Sequence, residues 1–459
     1  MAPELDGSRL TARLAEAADA HRVPGASAAV LVGGRVVEAA CGVLNTTTGV
    51  EATEDSLFQI GSITKSYTAT LLMRLVDRGA LTLDTPVVDV LPKFSVADPE
   101  VTSRVTVRHL LCHTSGIDGD HFLDTGRGDD CVERYVESLA EVGQTHALGA
   151  TMSYCNAGYT VLGRILEEVA GASWDAVLRD ELVTPLGLTH TVTLPEEALR
   201  FRAAIGHTGK PGEPQQPVPV WGLMRSAGPA GLICARAADV IAFARMHLDG
   251  GVASDGTRIL SGTSVQAMQA PQVAVPDRWT LGDHWGLGWI LFDWGGRRVF
   301  GHDGSTLGQA AFLRLIPDRG IAIALLTNGG SAGDLYQDLF RGLVGELGGV
   351  EMPTRPQPTA TPPAVDLEPY TGTYERSASR IEIAVVDGEL RATITAKGPL
   401  AALVPNPVQE LTLVAVDAGE HLFVTRPEGV DTWTPAVFFQ TDDGRRYLHF
   451  GARATPKVD

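Results

Sequence analysis

The sequence runs to 459 residues, 44% hydrophobic and 20% charged, with a formal net charge of −18 and a mean hydropathy of +0.05. That length exceeds one ordinary hydrophobic core, so a large domain and a smaller one are expected, both compact. The acidity and the lack of any Lys/Arg cluster argue against a nucleic-acid partner, and no apolar stretch, the nearest being Ile321 to Leu326, is long enough to span a bilayer. The first residues carry no basic-then-apolar export signal. Five cysteines (Cys41, Cys112, Cys131, Cys155, Cys234) form no CxxC pair, which points to reduced thiols, no metal site and a cytoplasmic location.

Helical periodicity covers residues 5 to 22, and then Ala26 to Val32 and Arg35 to Gly42 read as strands joined at Gly33-Gly34. From Ser62 the apolar positions Ile63, Tyr67, Leu71, Leu72, Leu75 and Val76 recur at helical spacing as far as Gly79, so Ser62 is expected to open a helix. A helical and looped middle follows, including Ser153 to Ala170 and Ala237 to Leu248. Strand character returns at Val299, Ala311 to Ile316 and Gly320 to Thr327, the last two joined by a turn at Pro317-Asp318-Arg319-Gly320. Helices inserted between first and last strands make the class α+β. Five prolines between Glu351 and Val365 mark a linker. Beyond it, Arg380 to Val386 and Glu389 to Thr395 form a hairpin signal, and Leu411 to Val416, His421 to Thr425 and Tyr447 to Phe450 continue an antiparallel pattern. The expected division is 1–350, a linker at 351–365, and a small β-barrel at 366–459.

Ser62 and Lys65 stand three residues apart, which places hydroxyl and amine on one helical face within bonding reach. A serine hydroxyl is a weak nucleophile until a base takes its proton, and a lysine serves only if its pKa is depressed. Taken alone, this spacing arises often on solvated helices. Tyr154-Cys155-Asn156 and His302-Asp303-Gly304 follow in chain order, and the three elements together resemble the serine β-lactamase and penicillin-binding-protein superfamily, in its class C-like branch with tyrosine in the second element. The segments Val107 to Gly116, Asn156 to Gly163 and Thr184 to Leu188 resemble family phrases as well.

The resemblance implies a transpeptidase-like fold, an antiparallel sheet with a helical insertion, followed here by a lipocalin-like barrel. It implies Ser62 as nucleophile, Lys65 as its base and Tyr154 as proton relay. It further implies that Asn156 donates to substrate or holds Lys65, that His302 assists Tyr154, and that the backbone N–H groups of Ser62 and Ser305 form the oxyanion hole. Gly304 permits close approach there. Asp303 replaces a small residue and is expected to border the substrate, raising the pKa of His302 or repelling anions, which argues against ordinary β-lactam recognition. Arg453 resembles a barrel arginine that reaches the active site. No metal or resident cofactor is implied. The loop from Asp124 to Asp130 reads as a lid or rim.

Within the family the chain is most similar to penicillin-binding-protein-type thioesterases. These take a nonribosomal peptide from a peptidyl carrier protein of its synthetase, through a phosphopantetheine thioester, and release it as a head-to-tail macrolactam. The alternative is a cytosolic hydrolase of the same family, an esterase or D-stereospecific peptidase or amidase, acting on a small ester or thioester with water as acceptor.

Overall fold

The computed structural model describes residues 5–209, 214–401, 406–426 and 432–459; the reading of the first four residues therefore lies outside them. The first helix, α1 (Gly7–Ala20), is started by the Asp6 carboxylate, which accepts from the Arg9 amide at 2.8 Å, meeting one of the N–H groups a helix start leaves open. Three strands follow, β1 (Gly25–Val32), β2 (Arg35–Asn45) and β3 (Val50–Glu51). They join six from the later chain: β4 (Val273–Ala274), β5 (His284–Trp285), β6 (Ile290–Trp294), β7 (Arg297–Thr306), β8 (Gln309–Ile316) and β9 (Ile321–Thr327). The nine-stranded order is β3-β2-β1-β9-β8-β7-β6-β5-β4, antiparallel at every pairing. The central β9 is buried along its whole length, as its unbroken apolar run requires of a strand covered on both faces.

On one face of this sheet α1 and α5 (Ala332–Leu343) bury Leu10, Leu14, Leu339 and Phe340. On the other lies the helical insertion, with α2 (Thr64–Asp77), α3 (Asn156–Ala170) and α4 (Ala237–Leu248). Every residue of α2 from Thr64 to Met73 is buried. Its polar side chains are satisfied from neighbouring backbone: Ser66 donates to Gly288 and Thr68 to Pro229, each at 2.8 Å, which is how a helix so enclosed tolerates hydroxyls. Gly163 on α3 leaves no room for a Cβ, which would fall 2.1 Å from Pro229 Cγ. That contact seats the Gly228–Gly231 turn against α2 and α3.

The segment from Glu351 to Val365 has neither helix nor strand. Eight antiparallel strands come after it, β10 (Gly372–Arg376), β11 (Ser379–Val386), β12 (Glu389–Ala396), β13 (Val408–Asp417), β14 (Leu422–Thr425), β15 (Thr434–Gln440), β16 (Arg446–Phe450) and β17 (Arg453–Pro456), each pairing with the next. The first and last meet through a Tyr374–Lys457 bridge and a Val458 N–H to Thr373 carbonyl bond of 2.8 Å, so the barrel is nearly closed, with Tyr374, Phe423 and Phe438 inside. The fold is the β-lactamase and penicillin-binding-protein arrangement followed by a lipocalin-like barrel, as the sequence reading expected.

Candidate active site

Ser62 does not open α2 itself. It stands in a 3-10 turn, Gly61–Ile63, from which α2 continues at Thr64. Gly61 has φ 50°, and a Cβ on it would lie 2.6 Å from the Ser305 nitrogen. A Cβ on Gly304 would lie 1.9 Å from the Ile60 oxygen and 2.8 Å from the Ser62 nitrogen. Two glycines thus let strand β7 touch the turn that carries the nucleophile. The β7–β8 hairpin closes on a two-residue turn with Thr306 opposite Gln309. Bonded and non-bonded pairs alternate from that closing pair, so Ser305 faces Ala310 without bonding and turns its N–H away from β8, toward Ser62.

Lys65 is buried. Its Nζ stands 3.0 Å from Ser62 Oγ and donates to the Ala230 carbonyl at 2.7 Å. Burial holds its pKa well below the ordinary lysine value, helped by the Arg453 charge and opposed by Cys155 and Asp120. A free amine at this distance can take the Ser62 proton.

Tyr154 precedes α3 and is also buried, its ring stacked on His113 at 4.3 Å. Lys65 Nζ lies 4.9 Å from the ring centre. Among the described residues the Tyr154 hydroxyl has no hydrogen-bond partner of good geometry. Burial raises its pKa, while the nearby Ser62 hydroxyl and the Arg453 charge pull it down. Asn156, the first residue of α3, borders the cavity, but its amide lies 3.5 Å from Asp120 Oδ1, and no bond joins it to Lys65. Of its two expected roles, the grip on Lys65 is therefore not observed.

His302 Nδ1 lies 2.6 Å from the Asp303 carbonyl. A carbonyl only accepts, so the proton sits on Nδ1, leaving Nε2 as a buried lone pair without a partner among the described residues. Its ring centre is 6.4 Å from that of Tyr154. Burial, with Lys65 adding, drives its pKa down to about 3. The expectation that Asp303 raises this pKa is overturned by strand alternation, which points successive side chains to opposite faces. The Asp303 carboxylate turns to Arg314 in a bidentate pair of 2.5 and 3.0 Å. Asp303 still borders the cavity with Gly304 and Ser305, but as a neutralised ion pair.

Arg453 enters from the barrel. Its Nη2 and Nε donate to Asp120 at 2.7 and 3.1 Å, and its Cζ lies 5.0 Å from the Tyr154 ring centre. Beside it the Ala452 carbonyl accepts from the Tyr154 amide at 3.0 Å, and Ser153 Oγ accepts from the Ala454 amide at 3.1 Å. Asp120, Arg376 and His113 were not singled out by the sequence reading. The family-like segment ending at Gly116 passes through His113 and stops four residues short of Asp120, and the partners of Asp120 lie hundreds of residues away.

Ser62, Tyr154, Asn156, His302 and Arg453 line a cavity of about 450 Å³ whose wall is otherwise largely apolar, with Phe122, Leu223, Met224, Leu281 and Phe312. The Asp124–Asp130 loop, expected as a lid or rim, is tied down, because Arg225 pairs with Asp129 at 2.6 Å and Asp175 at 3.0 Å. The three residues before it, His121 to Leu123, form cavity wall, whereas the loop itself does not line the cavity. Among the described residues no cluster of His, Cys, Asp or Glu could hold a metal ion.

The β-lactamase family profile matches residues 10–345. Penicillin-binding protein 4 of Amycolatopsis lactamdurans is 54% identical over 358 residues, 78% of this chain and 94% of its own length. Esterase EstB of Burkholderia gladioli is 32% identical over 229 residues, 45% of this chain and 57% of its own. The crystal structure of SurE superposes with a TM-score of 0.79 at 28% identity, covering 98% of both chains, and SurE has also been solved with D-Leu.

Proposed function

This chain belongs to the β-lactamase family, enzymes of hydrolase or acyl-transferase type, and we propose that it is a penicillin-binding-protein-type thioesterase that cyclises a peptide. The observation that carries the acyl-transfer chemistry is Lys65 Nζ, buried and 3.0 Å from Ser62 Oγ. Ser62 Oγ attacks the thioester carbonyl as Lys65 takes its proton. The carbonyl oxygen, now negative, is met by the N–H groups of Ser62 and Ser305. The thiolate leaves, a proton passes to it by way of Tyr154, and the peptide is held as an ester on Ser62. The peptide's own terminal amine then attacks that ester, Lys65 and Tyr154 again moving the proton, and a ring is released.

Likeness to SurE over both domains supports this reading, as does a cavity whose wall includes Ala452 and Arg453 of the barrel. A large apolar cavity suits a peptidyl group with apolar side chains. The second reading, hydrolysis with water as acceptor, is favoured by the likeness to Esterase EstB, 32% identical over 45% of this chain. Incubating the enzyme with a linear peptidyl thioester ending in a D-residue and weighing the product decides between them. Loss of the thiol alone is the expected outcome. A product heavier by water establishes the hydrolase, and turnover of simple esters only removes the cyclase.

A further inference from the structure

Two basic side chains share one aromatic ring in this site. Lys65 Nζ and the Arg453 guanidinium each lie about 5 Å from the centre of Tyr154. They are therefore no more than about 10 Å apart, a separation at which unit charges in a protein still repel. Arginine does not release its proton under ordinary conditions, so the strain of that pairing falls on the lysine.

Arg453 is held where it is by Asp120, which receives both Nη2 and Nε and also pairs with Arg376 of the barrel. Asp120 is itself buried. The residue before it, Gly119, packs so closely that a Cβ would lie 2.3 Å from Cys155 Cα, which locks the carboxylate to the stretch carrying Tyr154. Resting on the reading of Lys65 as the base of Ser62, we infer that Asp120 is a positioning residue: by gripping Arg453 against the ring shared with Lys65, it lets the docked barrel keep that lysine a free amine.

The groups facing Lys65 are Ser62, Tyr154, Tyr159, Cys155, the neutral His113 and His302, and the charged Arg453 and Asp120. The sign of the Asp120 effect separates the inference from its alternatives. The carboxylate alone favours a protonated Lys65, so removing it while Arg453 stayed in place would lower the lysine's pKa. If Asp120 acts by holding Arg453, the same removal frees the arginine and the pKa rises.

The chain contains five lysines, Lys65, Lys93, Lys210, Lys397 and Lys457, so lysine-selective 13C labelling of the full-length protein resolves the titration of Lys65 directly. Arg453→Met is expected to raise its pKa by about one unit, and Arg453→Lys to leave it near the wild-type value. Asp120→Asn is expected to raise it too, and Asp120→Asn with Arg453→Met to raise it no further than Arg453→Met alone. The acid limb of fluorophosphonate labelling at Ser62 should move with it. A Lys65 pKa unchanged or lowered in Asp120→Asn, or shifts that add in the double variant, would overturn the inference and leave Asp120 as a structural clamp. Failure of wild-type Ser62 to label at any pH would instead refute the acyl-enzyme reading, while the Lys65 titration still decides the role of Asp120.

Discussion

Lys65 is the side chain whose ionisation the chemistry turns on, and its neighbours explain why arginine cannot replace it. Lys65→Arg keeps a basic side chain of similar length, but a guanidinium stays protonated and has no lone pair to offer at working pH. Fluorophosphonate labelling of Ser62 should fall by about 10²–10⁴-fold, the usual worth of a general base, while the folded protein persists by circular dichroism. In the wild type the His302 imidazole should show no titration by NMR between pH 7.5 and 5, because it stays neutral down to about pH 3. A titration in that range would mean that His302 reaches water-like surroundings. Ser62 and Lys65 were legible in the sequence because their relation is local, a spacing that one turn of helix converts into contact. Asp120 was not, since its partners Arg376 and Arg453 lie 256 and 333 residues away, and no short-range pattern encodes a pair closed by tertiary docking.

At the scale of elements, the site depends on how closely β7 approaches the Ser62 turn. Gly304→Ala would drive a methyl to within 1.9 Å of the Ile60 carbonyl, forcing strand and turn apart and separating the Ser62 and Ser305 amides. Labelling of Ser62 should drop at least about 100-fold, as when an oxyanion donor is lost. Gly333→Ala, where nothing lies within 4 Å of the added methyl, should leave both labelling and melting temperature at or above wild type, and equal effects at the two positions would dissolve the argument. The same β7 was poorly legible by pattern: outside the His302–Gly304 motif only Val299 read as strand, yet the element runs from Arg297 to Thr306. Gly301, Gly304 and the polar His302 and Asp303 depress β-propensity where function needs backbone access and an imidazole, a local conflict expected at sites. The central strands β1, β8 and β9, whose runs are mostly apolar, were read to within a few residues. The closing strand Arg453–Pro456 was missed because Gly451 and Ala452, at φ 56° and 70°, make a tight turn without the usual Asn-Gly signature.

The molecule as a whole carries an acid-sensitive core in both of its parts. His247 and His302 in the catalytic part and His449 in the barrel are buried, and burial lowers the pKa of each to about 3, with Lys65 adding at His302 and Arg453 at His449. Their folded pKa values lie below the unfolded value of about 6.5, so below that pH the unfolded chain binds protons the native protein refuses. Stability is therefore full above about pH 6.5 and declines as pH falls toward 3, by up to about 1.4 kcal/mol per pH unit for each histidine. Asp120 acts in the same direction further down. Its carboxyl is held below the usual range because Arg453 and Arg376 outweigh the opposing effect of burial, so its contribution is present above about pH 4 and lost as pH drops through its folded value. The two effects come in succession: histidine protonation weakens both parts first, and loss of the Asp120 charge then releases the barrel from the Tyr154 stretch. Urea unfolding at pH 7.5, 6 and 5 should show the free energy falling steeply between 6 and 5. His449→Leu, which removes one of these buried imidazoles, should make that slope shallower. A flat profile from pH 7.5 to 5 would mean that these imidazoles reach water in the native state, and with it the enclosed, low-dielectric setting that keeps Lys65 uncharged would be lost.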